Sequence, residues 1–165
     1  MSHYRTVLNL AVTAALAIAA PVIAQQPGTL QGMEKQHTQQ HTATPILVYA
    51  SPSCGCCDAW IKHLEANGFL VKKESVSDVT PIKQKYGVPK HLWSCHTAIV
   101  NGYVFEGHVP ADLIRKVLAD RPAFAGLAVP GMPNGAPGME GATKDRYEVI
   151  SFMRSTGETK VYAVR

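Results

Sequence analysis

Residues 51 to 60, SPSCGCCDAW, place three cysteines within four positions, and the flanks say what kind of joint they occupy. Before them, Ile46-Leu47-Val48-Tyr49-Ala50 is a short continuous apolar run, the pattern of a buried strand covered on both faces. After them, Trp60, Ile61 and Leu64 fall on one helical face, and Asn67-Gly68 supplies the stop. Phe69 to Val76 reads as a second strand. A β-loop-α-β unit therefore carries its thiols in the first strand-to-helix turn. A helix N-terminus presents unpaired N–H groups and the positive end of the dipole, which favours thiolate. Thiolate serves equally as a redox nucleophile and as a soft metal ligand, so position alone does not choose between them.

Further along, Thr80-Pro81 predicts an N-cap followed by proline at the first helical position, in a short helix running through Lys85 to a stop near Gly87. Thr97 to Val100 and Tyr103 to Phe105 flank Asn101-Gly102, a strong signal for a tight hairpin. Pro110 opens a helix whose apolar stripe is Leu113, Ile114, Val117 and Leu118, ending before Arg121-Pro122. The order β-α-β-α-β-β-α, with cysteines at its first turn, resembles the thioredoxin fold. Residues 45–122 are thus expected to form an α/β thioredoxin-like core, with Cys54-Gly55-Cys56-Cys57 as its CxxC element. Residues 123–141, AFAGLAVPGMPNGAPGMEG, are Gly/Pro-punctuated and carry Met132 and Met139; an irregular loop is predicted throughout. Tyr147 to Phe152 and Lys160 to Val164 flank Ser155-Thr156-Gly157 and predict a second hairpin, so that residues 123–165 pack on the same domain as a Met-containing loop and β-hairpin extension.

The N-terminal segment has a different character. Arg5, the apolar run Val7 to Ala20 and the small-residue exit Val22-Ile23-Ala24 form a secretory signal, with cleavage expected near Ala24. Its apolar run is shorter than the ~20 residues that span a bilayer, and no later stretch is long and apolar enough to cross one. Residues 25–44 are polar, with Gly, Pro and Gln, and read as a flexible leader in which Met33, His37 and His41 are either ordinary linker residues, the favoured reading, or a loose metal-recruiting set. The formal charge of +4 falls by one with Arg5. No Lys/Arg cluster with interleaved aromatics is present, which excludes a nucleic-acid partner.

Four cysteines remain: Cys54, Cys56, Cys57 and Cys95. An even count in an exported chain suggests disulfides first, yet three of them sit together, whereas staples that close loops gain more from distant partners. Cys95, in WSCHT, enters the third strand, where thioredoxin-like proteins usually place a cis-proline facing the CxxC turn. Here no proline immediately precedes the strand, and a fourth sulfur faces the other three. Four soft sulfurs, with the Met132 and Met139 thioethers on a long loop, favour Cu(I) over hard cations. Zinc also accepts four thiolates, but adjacent Cys56-Cys57 is an awkward bite for one tetrahedral ion. Four thiolates would be neutralised by about four monovalent ions, which points to a polynuclear cluster. His96 is a candidate ligand or a residue that orients the cluster through its second nitrogen, and His108, in GHVP, reads as a hydrogen-bonded turn residue that is also a candidate ligand. Trp60 and Trp93 read as core or lid aromatics, His63 and His91 as surface residues.

The motifs YASPSCGCCDAW, YGVP, SCHTAIVNGYVFEGHVPADLI and GLAVPGMPNGAPGME together resemble the CopG-like copper-resistance proteins of bacterial envelopes, a family long described as a domain of unknown function. The resemblance runs from about Pro45 to the C-terminus and leaves out the leader. It implies a thioredoxin-like fold, a periplasmic location, and copper binding through Cys54, Cys56, Cys57 and Cys95. It further implies a role in copper tolerance by interconverting Cu(I) and Cu(II), with copper ions and other envelope copper-handling proteins as partners. Ala136 departs from the serine more often found in that loop, and no departure removes a sulfur. Two alternatives remain open on the residues alone: a thiol-disulfide oxidoreductase in which Cys54 attacks and Cys57 resolves, and a zinc-stabilised binding module.

Overall fold

The computed structural model describes residues 43–165. The signal segment and the leader as far as residue 42, with Met33, His37 and His41, lie outside the described residues. Chain order is β1 (Thr44–Ala50), α1 (Gly55–Ala66), β2 (Phe69–Ser75), α2 (Thr80–Lys85), a 3-10 turn at Lys90–Leu92, β3 (His96–Val100), β4 (Tyr103–Glu106), α3 (Ala111–Asp120), β5 (Gly126–Ala128), β6 (Glu148–Phe152) and β7 (Thr159–Val164). The strands form one mixed sheet in the order β2-β1-β3-β4-β5-β6-β7. β1 runs parallel to β2 and β4 parallel to β5, and every other neighbouring pair is antiparallel.

The α/β class and the succession of elements through α3 follow from local pattern. Trp60 and Leu64 of α1 are fully buried and Ile61 packs beside them, so the helical stripe faces the sheet. With α3's Leu113, Ile114 and Val117 they close one core against Val48, Ala98, Val100, Phe105 and Leu127. A second cluster, Val88, Leu92, Val104, Ala128 and Phe152, covers the opposite face. Alternation along β4 makes this division, since Phe105 enters the first cluster and Val104 the second. The hairpin between β3 and β4 turns at Asn101 and Gly102 with φ of 48° and 84°, the paired positive values that a two-residue Asn-Gly turn requires.

Several expectations are corrected. β1 begins at Thr44, inside the segment read as leader. Thr80 is not the N-cap of α2; it is the first helical residue, and its N–H donates to Asp78 Oδ1 at 2.8 Å, so the capping oxygen comes from upstream. Pro110 stands as the N-cap of α3, one position before the helix. Residues 123–141 are not irregular throughout: Gly126–Ala128 is a strand paired with β4 and β6. A Cβ on Gly126 would lie 1.9 Å from the Val104 carbonyl oxygen, so only glycine permits that approach. His63 is half-buried and accepts the Ala111 N–H through Nε2 at 3.1 Å, which ties α1 to the start of α3, whereas His91 is exposed as expected. Among the described residues no helix is long and apolar enough to cross a membrane.

Candidate metal centre

The turn after β1 delivers the first three sulfurs. Cys54 is the N-cap of α1, and Cys56 and Cys57 lie in its first turn. The fourth arrives at the entry to β3, where antiparallel pairing of Ala50 with His96 brings the end of β1 beside the residue after Cys95. All four Sγ atoms lie within 4.8 Å of one another. Cys54 and Cys57 are joined by a disulfide; Cys56 and Cys95 are free. Cys56 Sγ is 3.5 Å from Cys54 Sγ and 3.9 Å from Cys95 Sγ.

A second group shares Cys95: its Sγ, with one ring nitrogen each from His96 and His108, also falls within 4.8 Å. His96 Nδ1 is 3.2 Å and His108 Nε2 3.1 Å from the sulfur. The proton positions follow from the network. The Pro137 carbonyl, 2.8 Å from His108 Nδ1, can only accept, so Nδ1 carries the proton and Nε2 points a lone pair at the sulfur. The Cys95 thiol then donates to His108, and its sulfur accepts from His96 Nδ1–H. His96 Nε2 is left as a bare lone pair, buried and without a partner among the described residues. Trp60 packs against the His96 ring at an interplanar angle of 39°, centroids 4.3 Å apart, while its Nε1–H donates to the Val109 carbonyl at 2.9 Å.

Burial sets the protonation of these groups. The Cys95 thiol is pushed up to about 12, first by burial and then by the neighbouring Cys56. Both imidazoles are held below the usual histidine range, His96 well below, because burial disfavours the cation. At neutral pH the site therefore presents a protonated Cys95 and two neutral rings. An incoming soft cation would displace the thiol proton and meet the uncharged His108 Nε2 lone pair.

The long loop is pinned around this group at three points. Ser94 Oγ donates to the Gly131 carbonyl at 2.6 Å. His108 donates to Pro137. Gly138 lies against the first turn of α1 so closely that a Cβ would fall 2.6 Å from Trp60 N and 2.8 Å from the Cys56 carbonyl oxygen. Met132 follows the first pin and is exposed; Met139 follows the third and is half-buried.

Sequence reasoning missed a buried charged cluster next to the Cys95 corner. Glu106 and Lys83, both buried, form an ion pair. Glu106 Oε1 also accepts the Ser94 N–H at 2.7 Å, and Oε2 accepts the Thr97 hydroxyl at 2.7 Å. Burial raises the Glu106 carboxyl, opposed by Lys83 and the two other donors. A usable signal was present: Val104 and Glu106 share the inward register of β4, and a charge there needs a partner. Trp93 is half-buried and donates to the Val88 carbonyl, a packing role.

Sulfur and imidazole donors gathered in one place, with an orphaned buried nitrogen among them, define a protein with a soft-donor centre at the strand ends of a mixed α/β sheet. A family model described as "Protein of unknown function, DUF411" matches residues 92–139, from the turn before Cys95 through Met139. Two solved structures, titled "Copper resistance protein copG" in Forms 1 and 2, are each 47% identical to this chain. Each match covers 74% of this chain and 98% of that one, with a TM-score of 0.70. No curated protein matches. The chain belongs to the CopG-like copper-resistance family.

Proposed function

We propose that this chain is a copper-binding protein of the bacterial periplasm that serves copper tolerance, taking Cu(I) as cargo on Cys54, Cys56, Cys57 and Cys95. The observation that carries this reading is the mutual approach of four sulfurs within 4.8 Å, one of which, Cys95, shares a second group of that span with two neutral imidazoles, a donor set suited to a soft monovalent ion. His108 directs a lone pair into the group and serves as a further ligand. His96, whose Nδ1–H faces the Cys95 sulfur, orients that thiolate. Met132 and Met139 supply thioethers from the pinned loop. Adjacent Cys56 and Cys57 bridge different ions more easily than they chelate one, so several coppers bind per chain.

Sheet order and strand directions from β2 through β4, with helices α1 and α3 on one face, support a thioredoxin-like scaffold for residues 45–122, extended by the loop and the β6–β7 hairpin of the same domain. The signal segment supports export with cleavage near Ala24. A four-thiolate site requires the Cys54–Cys57 disulfide to be opened by two electrons, which links loading to redox state and supports Cu(I)/Cu(II) interconversion.

The same disulfide favours the second reading, a thiol-disulfide oxidoreductase acting through Cys54 and Cys57. An anaerobic Cu(I) titration of reduced protein against a competing chelator, run beside an insulin-reduction assay, separates the two. Tight binding of several coppers without reductase activity is expected. Reductase activity with no tight copper would replace the first reading with the second.

A further inference from the structure

The buried pair Lys83–Glu106 belongs to neither core cluster and supplies no candidate ligand, yet both ions are taken out of water, at a cost of several kcal/mol each before pairing. What the carboxylate holds says why such a pair would be kept. Its two oxygens take the backbone N–H of Ser94 and the hydroxyl of Thr97, one residue before and two residues after Cys95. Lys83 bridges the same groups, donating to Glu106 Oε1 and, at 3.1 Å, to Thr97 Oγ1. Thr97 and Glu106 are registered partners across β3 and β4, so this clamp is anchored in the sheet. Two residues beyond Glu106, after the turn at Gly107 (φ 67°), stands His108, whose Nε2 reaches Cys95. Gly107 N–H donates to the His96 carbonyl at 3.0 Å, and a Cβ at Gly107 would strike Ser94 Cβ and Oγ at 2.6 Å.

We propose that Glu106, supported by Lys83, is the positioning residue for Cys95, holding both flanks of the cysteine corner and fixing the sulfur against His108. The corner is the place where a thioredoxin-like chain would carry a rigid proline. Here a buried carboxylate with donors on both oxygens gives a flexible Ser-Cys-His segment its rigidity. A centre that must offer Cys95 in the same geometry whether empty or loaded needs such a support, because side chains left to solvent-exposed loops do not hold donor positions. The role toward copper rests on the copper-binding reading; the control of Cys95 geometry does not.

The test compares Lys83→Met/Glu106→Gln with Lys83→Met/Glu106→Leu. Both remove the buried charges. The glutamine keeps a carbonyl acceptor for Ser94 N–H and offers an amide N–H to Thr97 Oγ1, reversing that bond in place of the lost Lys83 donor, and the leucine offers neither. The first readout needs no metal: in a Cys56→Ser background with the Cys54–Cys57 disulfide intact, Cys95 is the one free thiol, and its alkylation rate reports its exposure and orientation. The leucine variant is expected to react several-fold faster than the parent and the glutamine variant at the parental rate. The second readout, with all four cysteines present, is the Cu(I) affinity and the thiolate-to-copper absorption. The leucine variant is expected to lose about tenfold in affinity and to change its spectrum, with the glutamine variant unchanged.

Equal alkylation rates in all three proteins overturn the proposal. So does equal acceleration in both variants, since it would assign the effect to lost charge rather than to the lost acceptor. Alkylation rates that separate as expected in a protein whose parent binds no copper would retain the positioning role and reject the copper reading. Thr97→Val removes one flank with little change in volume and decides the matter if the leucine variant does not fold by near-ultraviolet circular dichroism. An alkylation rate above the parental one supports the clamp, and an unchanged rate overturns it.

Discussion

Cys56 is the residue that separates a plain dithiol from this site. It is neither in the disulfide nor in the core, and it stands between Cys54 and Cys95 as the link across the strand-to-helix turn. Cys56→Ser should therefore reduce the number of Cu(I) ions bound by reduced protein while leaving the melting temperature within a few degrees of the parent, as expected for a change that opens no cavity. Anaerobic chelator competition and calorimetry check the two halves. His96 and His108, together with half-buried His63, contribute to the pH dependence of the empty protein. Their folded values lie below the ordinary 6.5 of the unfolded chain, so below that pH the unfolded chain takes up protons that the folded sites refuse. The stability they contribute is complete above 6.5 and falls as pH drops toward their folded values. The urea midpoint of copper-free protein should decline from about pH 7.5 to about pH 5, and His108→Gln should flatten that decline. A midpoint that holds or rises on acidification would contradict this assignment.

Loop 131–138 is the element that packs over the strand ends where the candidate donors gather, and its three pins reach Ser94, His108 and the first turn of α1. Gly138→Ala should be the most damaging single change in it: the methyl group meets backbone atoms, and φ of 81° already disfavours any side chain. A loss of about 3 kcal/mol is expected, together with weaker copper binding and enhanced proteolysis near Met139; chemical denaturation and limited proteolysis measure them. This loop also marks where sequence pattern stops being informative. The cysteine turn, α1, the Asn101-Gly102 hairpin and α3 are legible because each is encoded within a few residues by period, cap or turn chemistry. β5 is not, because three residues carry no period and Gly126 reads as a breaker when it is in fact a close-approach position. The Lys83–Glu106 pair is likewise invisible locally, as its partners stand 23 residues apart, one on α2 and one on β4, and meet only in the folded chain. Candidate ligands were legible as residue types, but their convergence is a property of the sheet.

Across the whole molecule the relevant quantity is how much of the fold depends on the redox state of its thiols. The Cys54–Cys57 bridge spans a sequence separation of three within one turn, whereas the sheet and its two clusters are assembled from segments far apart in the chain. In the chain-entropy account, a link closing so short a loop constrains the unfolded ensemble by only about 2 kcal/mol, less than a bridge between distant segments would. Reduction should lower the melting temperature by several degrees and leave a single cooperative transition with unchanged near-ultraviolet circular dichroism. Loss of cooperativity on reduction would show that the bridge supports the fold. The short bridge thus makes electron inventory and architecture separately adjustable. The chain can accept or surrender two electrons, and with them two sulfur donors, as its surroundings shift between oxidising and reducing, without passing through an unfolded form exposed to proteases.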